Sequence, residues 1–399
     1  MKKYYYFFRG NLNSHVDIYL AWANAANEKL NLCLFTIIEY SYYKENRALV
    51  NHYRKKGTKI HVVPRILKDM YTFLYFLIVA LTSSGLVVHL RKQKITPFIL
   101  LKKIIPRKIF FGIDVEGDLE SEIEYLSDKR KCYKEGFYDR ELKGMSKTLS
   151  TYKKTLSKAD AIFVVSEELR SLLVSRDNMK KEKIHIIPTG FDKQKFYPDS
   201  SLRRETRKIL KIPDSKAVFV YSGNCYYSWQ NLSQTIKIFK RIKNNFGFDA
   251  LLLLLIRKED QEIAKEIIFS NKLPSNDFIL LSVGHDEMNA YLNASDYGIL
   301  LRENHMLNKV STPAKVGEYL AAGLTFVGTK HIGMYSNEII HEGLGYLLDD
   351  IYDINEIDNL LKGLSLLPRE RVSNWARNMF SSTSYSKTYT EALEGTNAA

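Results

Sequence analysis

The chain has 399 residues, of which 45% are hydrophobic and 26% are charged. This length exceeds what one hydrophobic core usually supports, so two domains are expected, and the composition is that of a globular, soluble protein. The three cysteines, Cys33, Cys132 and Cys225, lie far apart without metal-ligand spacing. They argue against a disulfide framework or a zinc site and favour a reducing, cytoplasmic setting.

The net charge of +14 is confined to the first half of the chain. Residues 1–190 contain 34 Lys and Arg against 20 Asp and Glu, and the remainder is balanced. A basic half favours an anionic partner such as a phospholipid surface, a lipid-diphosphate acceptor or nucleic acid. Nucleic acid is the weaker choice because no recognition helix, zinc finger or RNA-binding aromatic pair accompanies the charge. Solvation of a lysine-rich surface remains the alternative.

The first half alternates apolar strands with amphipathic helices. Its N-terminal apolar run imitates a signal peptide but is short, aromatic and closed by Arg9 and Gly10, so it predicts a buried first strand. The alternation predicts a parallel sheet covered on both faces. The predicted strands are 4–8, 32–38, 59–63, 86–90, 108–113, 161–165 and 184–187, and the predicted helices are 15–30, 45–56, 71–81 and 143–156.

Residues 73–90 raise the question of a membrane span, because His89 is their only basic or acidic side chain. The polar group Thr82, Ser83 and Ser84, followed by Gly85, divides this stretch. A spanning helix needs about 20 predominantly apolar residues. The stretch therefore predicts an apolar helix followed by a strand.

Three carboxylates follow the fifth predicted strand, at Asp114, Glu116 and Asp118. We predict that they bind an acceptor together with Arg91, which follows the fourth strand, and that Asp114 is a hydrogen-bond acceptor or base. A solvated acidic turn is the alternative, since Asp favours turns. Chelation of a divalent ion is disfavoured because the spacing is not that of a calcium loop.

The second half repeats the alternation of strands and helices. We therefore predict an α/β protein of two doubly wound, Rossmann-like domains, residues 1–190 and 191–380, facing across a cleft at the carboxyl ends of their strands. The segment 188–198 is the predicted hinge. The predicted strands are 218–222, 250–256, 278–281, 297–301 and 325–328, and helices are predicted at 232–245, 287–293, 375–380 and 385–393.

The most informative segment, residues 312–323, predicts a helix whose N-terminus holds a phosphorylated ligand. Thr312 is a suitable N-cap, Pro313 suits the first helical position and Gly323 ends the helix. Lys315 adds a cation to the first turn, and Glu318 lies on the same face. This pattern suits a nucleoside diphosphate with its ribose. A capped amphipathic helix with a Lys–Glu pair is the alternative.

The string from Leu300 to Gly323 resembles the nucleotide-sugar site of retaining type-B glycosyltransferases, the large family 4 of bacterial polysaccharide and glycolipid synthesis. The segments 186–198 and 220–230 are similar to that family's interdomain signature and to its first donor-domain strand and loop. The resemblance implies that the helix around residues 381–399 crosses back to the first domain. It also implies a donor site made of Gly10, Asn224, Arg302, His305, Asn308, Ser311, Thr312, Lys315 and Glu318.

The resemblance assigns chemistry to three of these residues. Glu318 would bind the ribose hydroxyls, while Lys315 and Arg302 would neutralise the diphosphate leaving group without a metal or other cofactor. The chain departs from the family where Val310 replaces a second glutamate and where Asp114 replaces a catalytic-site histidine. Asn224 and Gln230 replace an Arg/Lys pair. Trp229 is predicted either to stack on a base or sugar or to pack on the domain, and His285 is predicted to cap the following helix.

The predicted function is transfer of a sugar from a nucleoside-diphosphate sugar to a glycan or lipid-linked acceptor in bacterial surface polysaccharide synthesis. The resemblance implies retention at the anomeric carbon. The protein is expected to be cytoplasmic and peripheral at the inner membrane through its basic first domain, with no nucleic-acid partner. The alternatives are a sugar-nucleotide epimerase of the same fold, a non-catalytic sugar-nucleotide-binding subunit and a nucleic-acid-binding protein.

Overall fold

The computed structural model describes residues 1–8, 12, 16, 19–20, 23–24, 26, 30–91, 96–106, 109–128, 137–381 and 383–394, with the backbone alone for 137–141. The chain divides into two compact units. The first combines Met1–Glu116, Ser150–Asp192 and Ser382–Ala399, and the second combines Gly117–Leu149 and Lys193–Ser381. The domain boundaries drawn from the sequence stay a prediction.

The first unit contains a seven-stranded parallel sheet in the order β3-β2-β1-β4-β5-β6-β7. The strand order reverses between β1 and β4, which is the switch point where ligands bind in open sheets of this kind. The strands are β1 (Lys3–Phe8), β2 (Leu32–Glu39), β3 (Lys59–Val63), β4 (Leu86–Arg91), β5 (Ile109–Val115), β6 (Ala161–Val164) and β7 (Ile184–Ile186). The helices with residues in this unit are Tyr40–Glu45, Arg47–Lys55, Lys68–Leu81, Thr96–Ile104, Phe137–Lys158, Glu167–Ser175 and Ser386–Glu394.

The second unit contains a six-stranded parallel sheet in the order β10-β9-β8-β11-β12-β13, with its switch point between β8 and β11. The strands are β8 (Ala217–Ser222), β9 (Ala250–Leu255), β10 (Phe278–Leu281), β11 (Tyr297–Leu300), β12 (Thr325–Thr329) and β13 (Gly345–Leu348). Its helices are Leu119–Leu126, Ser200–Ile209, Leu232–Phe246, Gln261–Ser270, Met288–Ala294, Met306–Lys309, Ala314–Ala321, Tyr335–Glu342, Ile354–Lys362 and Arg369–Met379.

Two Rossmann-like parallel sheets covered by helices confirm the predicted fold class. The twelve predicted strands all form, with ends shifted by at most two residues, and β13 was not predicted. The predicted helix at 15–30 lies largely outside the described residues. The stretch 73–90 divides as predicted, into the helix Lys68–Leu81 and β4. Within the described ranges, no helix has the length and apolarity needed to cross a membrane.

The last helix, Ser386–Glu394, completes the core of the first unit. Tyr389, Ala392 and Leu393 are buried in the same cluster as the strand residues Tyr6 and Leu34. The hydroxyl of Tyr389 lies 2.7 Å from Nδ1 of His89 on β4, so a buried polar contact accompanies the apolar packing. This unit is therefore built from both ends of the chain.

A buried carboxylate, Asp296, joins three elements of the second unit. Its oxygens accept hydrogen bonds from Arg203 at 2.7 Å, Arg207 at 2.7 Å and the Val218 amide at 2.8 Å. Arg207 is only 1% exposed, so this ion pair is shielded from solvent. Removing one partner of such a pair leaves an uncompensated buried charge.

We expect Asp296→Ala to lower the free energy of unfolding by about 3–5 kcal/mol, because both arginines lose their carboxylate. Asp286→Ala is the matched control, since its ion pair with Lys195 involves a carboxylate side chain that is 67% exposed. That substitution should cost less than about 1 kcal/mol. Urea unfolding followed by circular dichroism measures both, and equal losses would contradict the assignment.

Candidate functional site

The strongest candidate site lies in the second unit, at the switch point between β8 and β11. Gly223 follows β8 with a φ of +128°, a conformation that favours glycine. The ammonium of Lys315 occupies the space that a Cβ on residue 223 would need. Glycine therefore serves two purposes here, since it adopts this backbone conformation and admits a lysine side chain beside the strand end.

Two cations share one acceptor at this point. Gln230 Oε1 accepts a hydrogen bond from Arg302 Nη2 at 3.0 Å and from Lys315 Nζ at 3.4 Å. Arg302 also donates to the carbonyl of Trp229 at 2.8 Å. These residues come from three elements, the turn before the helix Leu232–Phe246, the end of β11 and the helix Ala314–Ala321. One neutral amide thus holds two positive side chains together.

The two positive charges depress each other's protonation. Burial and the nearby guanidinium of Arg302 lower the pKa of Lys315 to about 7, although Glu318 opposes the shift. Burial also lowers the pKa of Arg302, which nevertheless stays charged at neutral pH. A bound anion would relieve this repulsion. The arrangement therefore favours a ligand with negative charge, such as a diphosphate.

The helix that carries Lys315 begins later than predicted. It spans Ala314–Ala321 with Pro313 as the N-cap, so the expectation that Thr312 is the N-cap is wrong by one residue. The reason is the backbone of Pro313, whose ψ of 114° is extended rather than helical. The predicted stop is confirmed, since Gly323 has a φ of +80° and its amide bonds the Leu320 carbonyl.

Glu318 lies one turn beyond Lys315 and is mostly buried. Its Oε1 is 3.6 Å from Nε2 of His285, which follows β10. The prediction that His285 caps the next helix is not met, because Glu287 is the N-cap of the helix Met288–Ala294. His285 instead places a ring nitrogen beside a carboxylate. Together they can hold vicinal hydroxyls through one acceptor and one donor.

Asn224 adds a hydrogen-bonding group to the same strand end. Its Oδ1 is buried and has no hydrogen-bond partner among the described residues. The neighbouring carbonyl of Asn224 accepts from the hydroxyl of Tyr221 at 2.8 Å, which fixes the backbone. A buried amide oxygen without a partner costs about 1–3 kcal/mol. A ligand hydroxyl or N–H at this position would recover that cost.

The loop between β11 and the Lys315 helix is braced by its own side chains. Asn308 is buried and donates to the Glu303 carbonyl at 2.9 Å, and Ser311 donates to the Asn308 carbonyl at 2.8 Å. Nδ1 of His305 accepts from the Leu307 amide at 3.2 Å and caps a short helix. The donor-binding role predicted for these side chains stays a prediction. Their observed contacts are within the loop.

A group of polar aromatic residues beside this loop was not predicted. The Tyr125 hydroxyl is 2.9 Å from Ser228 Oγ and donates to Glu303 at 3.3 Å, while Tyr352 donates to the other Glu303 oxygen at 3.3 Å. Trp229 stacks on Tyr227 with 3.9 Å between ring centroids, so one of its faces is already covered. A cavity of about 380 Å³ opens here, lined by Arg302, Glu303, Asn304, Asp349, Asp350, Ile351 and Tyr352.

The first unit gathers a second polar cluster, around Asp114 at the end of β5. Asp114 accepts hydrogen bonds from Tyr6 at 2.7 Å and Arg91 at 3.2 Å, and it lies 2.7 Å from Nε2 of His89. Burial alone would raise the pKa of Asp114, but His89 and Arg91 outweigh it and lower the pKa to about 2. So weak a base is poorly suited to proton abstraction at neutral pH. These contacts favour a positioning role.

The remaining predicted acceptor residues lie in different settings. Arg91 stacks on Tyr19 at 4.4 Å and forms an ion pair with Glu116 as well as Asp114. Asp118, predicted to lie in a loop, is the N-cap of the helix Leu119–Leu126 and accepts from the Ser121 amide at 2.9 Å. The predicted donor residue Gly10 lies outside the described residues.

Comparison with known proteins assigns the second unit to a family. Residues 203–379 match the family model described as Glycosyl transferases group 1. The chain carries a glycosyltransferase domain. The cations at the β8–β11 switch point lie inside the matched segment of this glycosyltransferase, as do Glu318 and Asn224. No curated protein sequence matches the chain.

Solved structures share the fold over the whole chain. A glycosyltransferase from Rickettsia africae is similar with a TM-score of 0.70 at 14% identity, covering 100% of both chains. Anabaena HepE in complex with UDP has a TM-score of 0.68 at 12% identity, covering 99% of this chain and 100% of that chain. The lipopolysaccharide outer core galactosyltransferase WaaB, in its apo form, has a TM-score of 0.62 at 10% identity, covering 99% of both. These likenesses show the type-B glycosyltransferase fold.

We expect Asp114→Asn to destabilise the glycosyltransferase by about 2 kcal/mol at pH 7, the free-energy equivalent of lowering this pKa from 3.8 to about 2. Because the folded pKa is depressed, this stability is present above pH 4 and is lost as the pH falls towards 2. Urea unfolding at pH 7 and pH 3 measures it. The gap between wild type and variant should narrow at pH 3.

The control is Glu116→Gln, which removes the more exposed carboxylate partner of Arg91. It should cost less than half as much at pH 7, because exposed ion pairs contribute about 0–1 kcal/mol. A gap for Asp114→Asn that does not change between pH 7 and pH 3 would contradict the assigned cause.

Proposed function

We propose that the protein transfers a sugar from a nucleoside-diphosphate sugar to a glycan or lipid-linked acceptor in bacterial surface polysaccharide synthesis. The observation that carries this proposal is the pair Arg302 and Lys315, held on Gln230 at a strand switch point. Their charges repel each other until an anion binds between or beside them. The matched glycosyltransferase domain makes a donor diphosphate the best candidate for that anion.

Uridine diphosphate is the nucleotide we propose to test first. The structures of Anabaena HepE similar to this chain contain UDP or UDP-glucose. In our proposal Glu318 and His285 hold the ribose hydroxyls and Asn224 Oδ1 accepts a hydrogen bond from the donor. The backbone amides of Ala314 and Lys315 have no partner within their own helix by its geometry, and they add donors for the phosphates.

The proposed chemistry breaks the bond between the anomeric carbon and the β-phosphate oxygen. The diphosphate takes the electron pair, and the Lys315 and Arg302 cations stabilise the negative charge that grows on it. The acceptor hydroxyl forms the new bond to the oxocarbenium-like carbon, and its proton leaves with the diphosphate. We propose that this occurs with retention and without a metal, as the family 4 resemblance implies.

The sequence departures support one alternative. Val310, which stands where the family has a second glutamate, is fully buried in the second unit. It supplies no carboxylate to the donor sugar, and a sugar-nucleotide epimerase or a non-catalytic binding subunit is consistent with that loss. Product analysis separates them. Glycosyl transfer requires an acceptor and releases UDP, epimerisation converts the sugar without an acceptor, and a binding subunit does neither.

We expect a UDP-sugar to raise the melting temperature of the protein in a panel of UDP-, GDP-, ADP- and dTDP-sugars. A ligand present at 100 times its Kd adds about 2.7 kcal/mol to the stability of the native state. Lys315→Ala and Glu318→Ala should each abolish the shift, because each removes a proposed ligand contact.

The matched controls for this experiment are Lys265→Ala and Glu262→Ala. They remove an exposed lysine and glutamate, also three residues apart on a helix of the second unit. Both should keep the full shift. A shift that persists in Lys315→Ala and Glu318→Ala would place the donor elsewhere.

The affinity for UDP should depend on pH through Lys315. Its pKa of about 7 in the free protein means that the ammonium is increasingly lost above pH 7, whereas a bound diphosphate would keep it protonated. The Kd for UDP should therefore rise by up to tenfold per pH unit from about pH 7 to pH 8.5, measured by titration calorimetry. In Lys315→Arg the cation stays charged and this slope should disappear. A wild-type slope equal to that of the variant would contradict the role.

A further inference from the structure

The helix Lys68–Leu81 in the first unit has two apolar faces. One face is buried, through Thr72, Phe76 and Ala80. The other exposes large apolar side chains at spacings of three and four residues, the period of one helix face. Its exposed residues, continued by the preceding turn, are Ile66, Leu67, Met70, Leu74, Ile78 and Leu81.

The inner face already accounts for the packing of this helix. Phe76 is fully buried, with ring contacts to Phe7 at 5.4 Å and to Phe98 at 5.1 Å. The outer residues are far from buried, since Ile66 is 90% exposed and Ile78 is 60% exposed. The fold of the first unit does not explain why they are apolar. A solvent-facing helix surface normally carries charged or polar residues.

The neighbouring helix Thr96–Ile104 enlarges this surface. It packs against the first helix through Phe98 and leaves Leu100 and Ile104 exposed. Eight of the eighteen exposed large hydrophobic residues in the described part of the chain therefore lie on these two helices and the turn before them. Single exposed apolar residues are ordinary, but a concentration of this kind marks an interaction site. We call these eight residues the apolar stripe.

The charge around the apolar stripe indicates what it contacts. The segment 64–113 contains nine Lys and Arg but a single acidic residue, Asp69. Arg65 and Lys103 are exposed and adjoin the stripe in sequence. An apolar face flanked by basic residues suits the headgroup and acyl boundary of an anionic bilayer. Two copies of the same basic surface would repel each other, so self-association is the weaker choice.

We propose that the apolar stripe docks the protein on the surface of an anionic phospholipid bilayer. The apolar side chains enter the boundary between headgroups and acyl chains, and Arg65 and Lys103 contact lipid phosphates. This inference rests on the proposed function, because a lipid-linked acceptor would be presented at such a surface. It adds to that function the part of the chain that makes the contact.

Flotation of the full-length protein with vesicles tests the proposal. The vesicles contain phosphatidylglycerol and phosphatidylethanolamine, and pure phosphatidylcholine is the neutral comparison. The wild-type protein should float with anionic vesicles, less so at 0.5 M salt and least with the neutral ones. The double variant Leu74→Ser/Ile78→Ser should bind anionic vesicles at least tenfold more weakly.

The matched control is Phe269→Ser/Ile340→Ser, which removes two exposed apolar residues of the second unit. It should float as the wild type does, and unchanged melting temperatures would show that both double variants fold. Absence of wild-type flotation, or equal losses in the two double variants, would overturn the proposal. So would a dimer in light scattering that only Leu74→Ser/Ile78→Ser dissociates.

The thermal shift with UDP-sugars separates this proposal from the proposed function. Leu74→Ser/Ile78→Ser should keep the full shift while it loses vesicle binding, since it leaves the donor residues intact. Failure of every nucleotide sugar to stabilise a protein that still floats would remove the proposed function and leave the docking surface. A full shift in a wild-type protein that does not float would remove the docking surface alone.

Discussion

The candidate site depends on the enforced proximity of two cations, Arg302 and Lys315. Like charges at this distance repel, and burial adds a desolvation cost to each. The fold opposes these costs with one amide oxygen from Gln230 and with the space left by Gly223. The result is a site that is electrostatically incomplete without an anion, and the low pKa of Lys315 is the measure of that incompleteness.

The same principle of shared contacts organises the first unit, with the signs reversed. There a single carboxylate, Asp114, collects Tyr6, His89 and Arg91 at the ends of adjoining strands. Its negative charge is compensated, so its pKa falls and its capacity as a base falls with it. One unit thus leaves a positive group to be satisfied by a ligand, and the other satisfies its negative group internally. This difference is why the donor assignment is supported by geometry more strongly than a catalytic role for Asp114.

The fold could be predicted from the sequence because buried parallel strands are continuous apolar runs. Strands such as β9, with Ala250–Leu255 fully buried, are unmistakable in composition. The strand β13 was missed because Gly345–Leu348 is short, begins with glycine and is only partly buried. The helix after Asp118 was taken for a loop because its acidic first turn resembles a solvated turn, although acidic residues also favour helix N-termini.

The site was predicted only where its residues are close in sequence. Lys315 and Glu318 share one helix, so their spacing alone suggested a joint role. Gln230 lies far along the chain from both cations it holds, and no local pattern connects them. Tyr125 contacts Glu303 from a segment that the sequence assigned to the other domain, so its position depends on tertiary structure alone.

The contribution of the last helix to the first core has a consequence for biosynthesis. A ribosome makes β1 to β7 before the second unit, yet Tyr389 and Leu393 emerge only when translation is nearly over. Until then the sheet must wait with a gap beside His89. The N-terminal half is therefore the first to be synthesised and the last to be finished, and a nascent chain paused after residue 381 would display a completed donor unit attached to an unfinished partner.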